Sequence, residues 1–362
     1  FEIFKTSDFY ILIIIYLYLI FNSIYIAENN DGYLRAFGFI RVIIFTFALA
    51  YYFSIENSKY FKKVLKLWCL IFIIASLDII FESFVGFNFL GFKSEYPGRL
   101  GGFTMDEYKI GGYFLGFVLL SLTIFVKEKN YLKILILTFL FILVTFLTGE
   151  RSNFIKIFII LSLFILFYEN KFFKKKLFAI LSIIFVISSI FYLLPKDNDF
   201  KERFESRYIS GIIEPLRVDG FDKFFQNNEH FKIYKNSINV FQDNKLFGVG
   251  IKQYRHKSYL EKYNLDTSSQ GSLHPHQIHF EFIAELGLIG YFLLMFLIFK
   301  KMLEGFKNFK KGDLYSLSAL LFLIATVMPI LPGGSFFTTY NASIFWVNFS
   351  IILRQQFTQT NS

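Results

Sequence analysis

Apolar runs near 9–27, 34–56, 64–86, 110–126, 131–148, 154–168, 177–194, 277–299, 314–333 and 340–354 dominate this chain and leave it few folds to choose from. A helix that crosses a bilayer needs about 20 mostly apolar residues. Most of the runs approach that length; 154–168 and 340–354 are shorter. In hydrocarbon every backbone polar group must find its partner inside the protein, which leaves helices and closed barrels. The short alternating segments of a transmembrane barrel are not seen. Composition agrees: 54% of the 362 residues are hydrophobic, 53 are Phe and only 18% are charged. A soluble domain of this make-up would expose far too much apolar surface. The expected fold is an all-α polytopic membrane protein with about ten transmembrane helices.

Charge placement sets the expected topology. The formal net charge of +10 does not call for nucleic acid. Lysines concentrate in four short connections, 58–66, 127–133, 169–176 and 300–313. By the positive-inside rule these face the cytoplasm. The connections 28–33, 87–109, 149–153, 195–276 and 334–339 then face the other side, and both chain ends lie inside. The sole cysteine, Cys69, sits in an apolar run, so neither an intramolecular disulfide nor a cysteine metal site is expected. The chain divides into helices 1–7 (1–194), a long outer connection (195–276) and helices 8–10 (277–362). A connection of about 80 residues tends to be functional. It holds a helix-like stretch, 231–241, followed by a turn through Asn244 and Gly248-Val249-Gly250.

Four polar features fall on the outer face: Pro97 to Phe103, Thr148 to Asn153, the long connection, and the segment opening the eighth span. Arg99 and Arg151 stand at span boundaries. A guanidinium stays charged and offers a planar fork of donors that suits phosphate oxygens. An isolated arginine at a helix end usually snorkels to lipid headgroups. That reading weakens here because positive charge is sparse in the short outer connections. All five histidines, His230, His256, His274, His276 and His279, lie in the last outer region. On a helix Gln277, Glu281 and Glu285 share one face at four-residue spacing. Gly287 and Gly290 let a neighbouring helix pack closely. A metal site through His274, His276 and His279 is disfavoured, because Pro275 stiffens two of the ligands. His274 and His279 suit supporting roles. His276, at the helix mouth with acids below it, is the best placed to take a proton from a hydroxyl.

These residues resemble the O-antigen ligase family of membrane glycosyltransferases, which includes O-antigen polymerases. His276-Gln277, nine residues, then Gly287-Leu288-Ile289-Gly290 is similar to a family pattern. So are Tyr234-Lys235-Asn236-Ser237 through Gly248-Val249-Gly250, Thr148-Gly149-Glu150-Arg151-Ser152, and Arg99 with Gly102. The resemblance spans about 97–295. Family ligases have about twelve spans, so the chain, which begins at Phe1, is expected to lack about two N-terminal ones. Where many members carry an arginine four residues before an aromatic, His230 stands before Tyr234. The second phosphate-binding arginine is then expected elsewhere, with Arg217, Arg207 or Arg255 as the choices and Arg217 grouped with Arg99 and Arg151.

The resemblance implies glycan transfer from undecaprenyl diphosphate to a hydroxyl of lipid A-core on the periplasmic face of a bacterial inner membrane. No cofactor, metal or nucleotide is implied. Arg99, Arg151 and Arg217 would bind the diphosphate. His276 would act on the acceptor hydroxyl, supported by His230, His274, Gln277, Glu281, Glu285, Gly287 and Gly290. The nearest alternative is a polymerase that extends a growing glycan. A polysaccharide or lipid transporter would instead place its polar groups near the bilayer midplane, in paired broken helices.

Overall fold

In the computed structural model, the residues described are 6–55, 59–169, 172–195, 198–218, 220–264 and 269–358. Among them every regular element is helical. A helix occupies each of the ten apolar runs. They are α1 (Ser7–Phe21), α2 (Tyr33–Ser54), α3 (Lys59–Val85), α4 (Ile110–Lys127), α5 (Tyr131–Leu147), α6 (Arg151–Phe167) and α7 (Phe173–Leu193). Then come, after the long connection, α13 (Ile278–Lys310), α14 (Leu314–Thr326) and α15 (Thr339–Leu353). Six are long and apolar enough to cross a membrane: α1 with its extension to Ile26, α2, α3, α4, α7 and α13. α5 and α14 are apolar but shorter.

The 195–276 connection is itself helical. It holds α8 (Asp199–Phe204), a π-helical stretch Glu205–Ile213, α9 (Glu214–Val218), α10 (Gly220–Asn227), α11 (Glu229–Asp243) and α12 (Tyr254–Lys257). The helix expected over 231–241 is the centre of α11, capped by the Asn228 side chain, which accepts from His230 N–H.

The chain forms two compact units. The first comprises Phe1–Ser54, Glu214–Glu304 and Thr326–Ser362; the second comprises Ile55–Ile213 and Gly305–Ala325. In the first, α2 packs on α1 and α15. A buried ion cluster ties its sequence-distant parts. Lys300 and Lys301 donate to the two Asp8 carboxylate oxygens at 2.7 and 2.5 Å, and Gln356 donates to Asp8 at 2.5 Å. Each buried charge thus meets an opposite one, which such burial requires. In the second unit α4 packs against α3, α5 and α6, with the rings of Phe72, Phe114 and Phe141 interlocked. Thr123 and Ser318 share a buried hydrogen bond of 2.7 Å.

The helix that carries Gln277, Glu281 and Glu285 departs from expectation. The apolar run 277–299 predicts one unbroken helix. The helix is instead broken at Gly287, where φ is 65° and ψ −169°. The break frees backbone groups, and the 245–250 segment satisfies them. Val249 and Gly250 N–H donate to the carbonyls of Ala284 and Glu285, both at 2.9 Å. Below the break Leu288 and Ile289 N–H donate to Lys245 and Leu246 carbonyls, at 2.8 and 3.2 Å. The remaining Leu286 carbonyl accepts from the Tyr18 hydroxyl at 2.5 Å. Helix breaks at membrane depth are tolerated only where protein re-satisfies the backbone in this way.

Candidate functional site

The plug that fills the break also sets the polar site above it. Asn22, one turn beyond Tyr18, reaches the same segment: its amide donates to Phe247 O at 2.7 Å and accepts from Ile251 N–H at 2.8 Å. The backbone is thereby fixed up to Lys252, which sits at φ 63°. Lys252 Nζ donates to Ser335 Oγ at 2.7 Å, and Ser335 donates in turn to Glu281 at 2.5 Å. Glu281 also accepts from Phe336 N–H at 2.8 Å. Glu285, one turn on, is buried, and its Oε2 has no hydrogen-bond partner. Both carboxylates thus face protein, next to the Lys252 cation.

The imidazoles gather close enough to this network for the Lys252 charge to act on His274. The His274 and His276 rings lie 3.9 Å apart and the His276 and His230 rings 5.6 Å apart, centre to centre. His276 has φ 58°, a conformation costly for a residue with a Cβ, and its carbonyl accepts from Gly333 N–H at 2.6 Å. Burial, followed by the neighbouring His230, lowers the His276 pKa from 6.5 to about 4. Burial, then His276, Lys252 and Arg255, lowers His274 to about 3. Both rings are neutral at pH 7, so His276 holds the acceptor form a base needs, at reduced basicity.

Gln277 caps α13: its side-chain oxygen accepts from His279 N–H at 2.7 Å and Phe280 N–H at 3.3 Å. His279 bonds the Val327 carbonyl through Nε2 at 2.9 Å, so Nε2 carries the proton. Nδ1 then accepts from the Tyr291 hydroxyl at 3.2 Å. His279 is committed to structure. His256 is removed from the cluster, paired with Asp31 at 2.6 Å. Asn236, buried, donates to Ser258 O, Tyr263 O and Asn264 Oδ1 and accepts from the Tyr254 hydroxyl, stapling α11 to the segment that follows it.

The arginines divide between the units. Arg99 and Arg151 belong to the second, where Leu100 N–H donates to Thr148 O at 3.4 Å and joins their two loops. The Arg99 guanidinium lies 4.2 Å over the Tyr108 ring, and its Nε is buried without a hydrogen-bond partner. Glu150, between the loops, accepts from Gly111 N–H at 2.9 Å and from Asn153 at 2.6 Å. Burial raises its pKa, against the lowering effect of those bonds and of Arg99. Arg151 lines a small pocket with Arg203, Phe146, Phe154, Phe200 and Phe204. Sequence reasoning misses Arg203; it lies on α8 in a run of mixed charge with no spacing to mark it. Arg217 is exposed on α9 in the first unit. The arginine whose charge acts on His274 is Arg255.

Among the described residues no group of three or more His, Cys, Asp or Glu side chains is arranged to hold a metal ion. What the fold and the site define is a multi-pass helical membrane protein with imidazoles gathered beside a broken helix. Residues 136–295 match the family model described as O-Antigen ligase. The match includes His230, Arg151, His276 and the Gly287 break; Arg99 lies before it. A comparison with curated proteins returns no match.

Proposed function

We propose that this chain is a membrane glycosyltransferase that moves a glycan from undecaprenyl diphosphate to a hydroxyl of lipid A-core on the periplasmic face. The observation that carries the reading is the clustering of His230, His274 and His276 within the segment that matches the family. In this reading neutral His276 orients the acceptor hydroxyl and takes its proton as the oxygen attacks the anomeric carbon. The bond to the diphosphate breaks, and the leaving group takes the electron pair. Within the second unit, the guanidinium groups of Arg99 and Arg151 have the donor geometry that suits diphosphate oxygens. Arg217, exposed on α9, is a weaker choice for that role than Arg203, which shares a pocket with Arg151. Glu281 and Glu285 hold Lys252 and the turn around it. Gly287 permits the break that sets this turn against α13.

Reconstitution with a lipid-linked diphosphate glycan donor and a lipid A-core acceptor tests the reading. The expected result is transfer by the intact protein and its loss in His276→Ala. Transfer unchanged in His276→Ala, or no transfer at all, would overturn it. Labelling of single cysteines introduced at 172–176 tests the topology; reaction from the periplasmic side would sink it.

A further inference from the structure

Within the first unit, the connection from α14 to α15 is stitched along its length to the mouth of α13. The Val327 and Met328 carbonyls accept from His279 Nε2 at 2.9 Å and from the Gln277 amide at 3.4 Å. The Ile330 carbonyl accepts from the Tyr234 hydroxyl at 2.9 Å. Gly333 N–H donates to the His276 carbonyl at 2.6 Å, and Phe336 N–H donates to Glu281 at 2.8 Å. Ser335 stands between those last two donors and is buried. Its hydroxyl accepts from Lys252 Nζ at 2.7 Å and donates to Glu281 at 2.5 Å. The bond from the Lys252 ammonium is charge-assisted, the stronger kind. The Ser335 carbonyl accepts from the Thr338 hydroxyl at 2.8 Å and from the Asn341 amide at 2.9 Å. One side chain thus ties the turn before α12 to α13, and its backbone ties both to the start of α15.

We propose that Ser335 is a positioning residue for His276, acting through the Gly333 donor two residues before it. His276 holds a left-handed backbone, φ 58°, which at a residue with a Cβ persists only where the surroundings over-determine it. The bond to its carbonyl supplies that restraint, provided that the 333–335 segment is itself fixed, and the Ser335 bonds fix it. The same restraint sets the His276 ring among its neighbours, His274 at 3.9 Å from its own segment and His230 at 5.6 Å from α11. The Lys252 and Arg255 charges act on His274 from the turn before α12 and from α12. Without the Ser335 hydroxyl, the Lys252 ammonium is free to close on Glu281, and the segment that carries Gly333 slackens. The inference rests on the glycosyltransferase reading for what the ring does, and on this geometry for how the ring is held.

The test uses the full chain in lipid nanodiscs, with its five histidines isotope-labelled at Cε1 for NMR. His276→Gln identifies the His276 resonance. In wild type that resonance is expected to titrate at about 4. In Ser335→Ala it should move up toward 6.5, because a released ring regains water. The kcat for transfer should fall about tenfold, the scale of one charged hydrogen bond, with KM within about twofold. A lowered thermal midpoint with the His276 titration unmoved would make Ser335 a structural tie only and overturn the proposal. So would a moved titration with kcat unchanged. If Ser335→Ala does not accumulate, Asn341→Ala takes its place, since it loosens the same segment and leaves the Ser335 hydroxyl bonds intact. The same upward move then supports the proposal, and its absence overturns it. No transfer by wild type would overturn the glycosyltransferase reading, while the His276 titration would still decide how the ring is held.

Discussion

Gly248 and Gly287 meet backbone to backbone. A Cβ on Gly248 would stand 2.6 Å from the Gly287 nitrogen, and one on Gly287 would stand 2.5 Å from the Gly248 nitrogen. Both residues have positive φ, 69° and 65°. Space and backbone conformation therefore both demand glycine at these two positions. The contact seats the Val249 and Gly250 donors on the carbonyls that the break leaves free.

Gly287→Ala should be among the most damaging single changes in the chain. The strained φ alone costs roughly 1–3 kcal/mol, and the overlap with Leu246 and Gly248 backbone adds to it. The expected outcome is a large fall in thermal midpoint or failure to accumulate. A midpoint within a degree or two of wild type would show that the break is not needed.

Tyr18→Phe removes only the donor to the Leu286 carbonyl. Leaving a buried acceptor unpaired costs about 1–3 kcal/mol. A smaller midpoint drop than for Gly287→Ala is expected, with the proposed transfer retained. Asn22→Ala, which loses two bonds to the plug, should cost more than Tyr18→Phe.

Stability should fall in acid through the histidine pair. His276 and His274 titrate at about 4 and about 3 when folded, against 6.5 ordinarily. Between those values the unfolded chain binds protons that the folded one does not, so unfolding gains as pH drops. The contribution is complete above about pH 6.5 and is lost as pH falls through about 4. Thermal midpoints across that range, in wild type and in His274→Gln/His276→Gln, check the sign. A double variant as acid-sensitive as wild type would assign the effect elsewhere.

Arg203→Ala and Arg151→Ala should impair transfer in the same way, since both line one pocket. Each is expected to raise the KM for a diphosphate donor by roughly tenfold or more, the scale of one charged hydrogen bond. Arg217→Ala should change it little, because Arg217 is exposed on α9. A reversed order would restore Arg217 as the diphosphate ligand.

Local pattern carries much of this protein. Apolar run length is a property of consecutive residues, so the ten runs and the 231–241 stretch each mark a helix that the fold contains. The spacing from His276 to Gly287 and Gly290, and the Gly248-Val249-Gly250 turn, are likewise legible along the chain and carry the family resemblance. What those glycines do is not legible there, because a helix break depends on what fills it. The partners are Tyr18 and Asn22, more than two hundred residues away, together with the turn before α12. Side-chain roles follow the same rule. His274 and His279 look alike in sequence, yet His279 is bound to Val327 and Tyr291 while His274 packs against His276. Arg203 carries no local mark, and its position comes from folding of the long connection. Hydrophobic length and charge act locally, so consecutive residues suffice to specify a helical membrane chain with its polar chemistry concentrated between spans. Which imidazoles meet, where α13 breaks and which carboxylates lie beside Lys252 emerge only on folding, because those contacts join residues far apart in the chain.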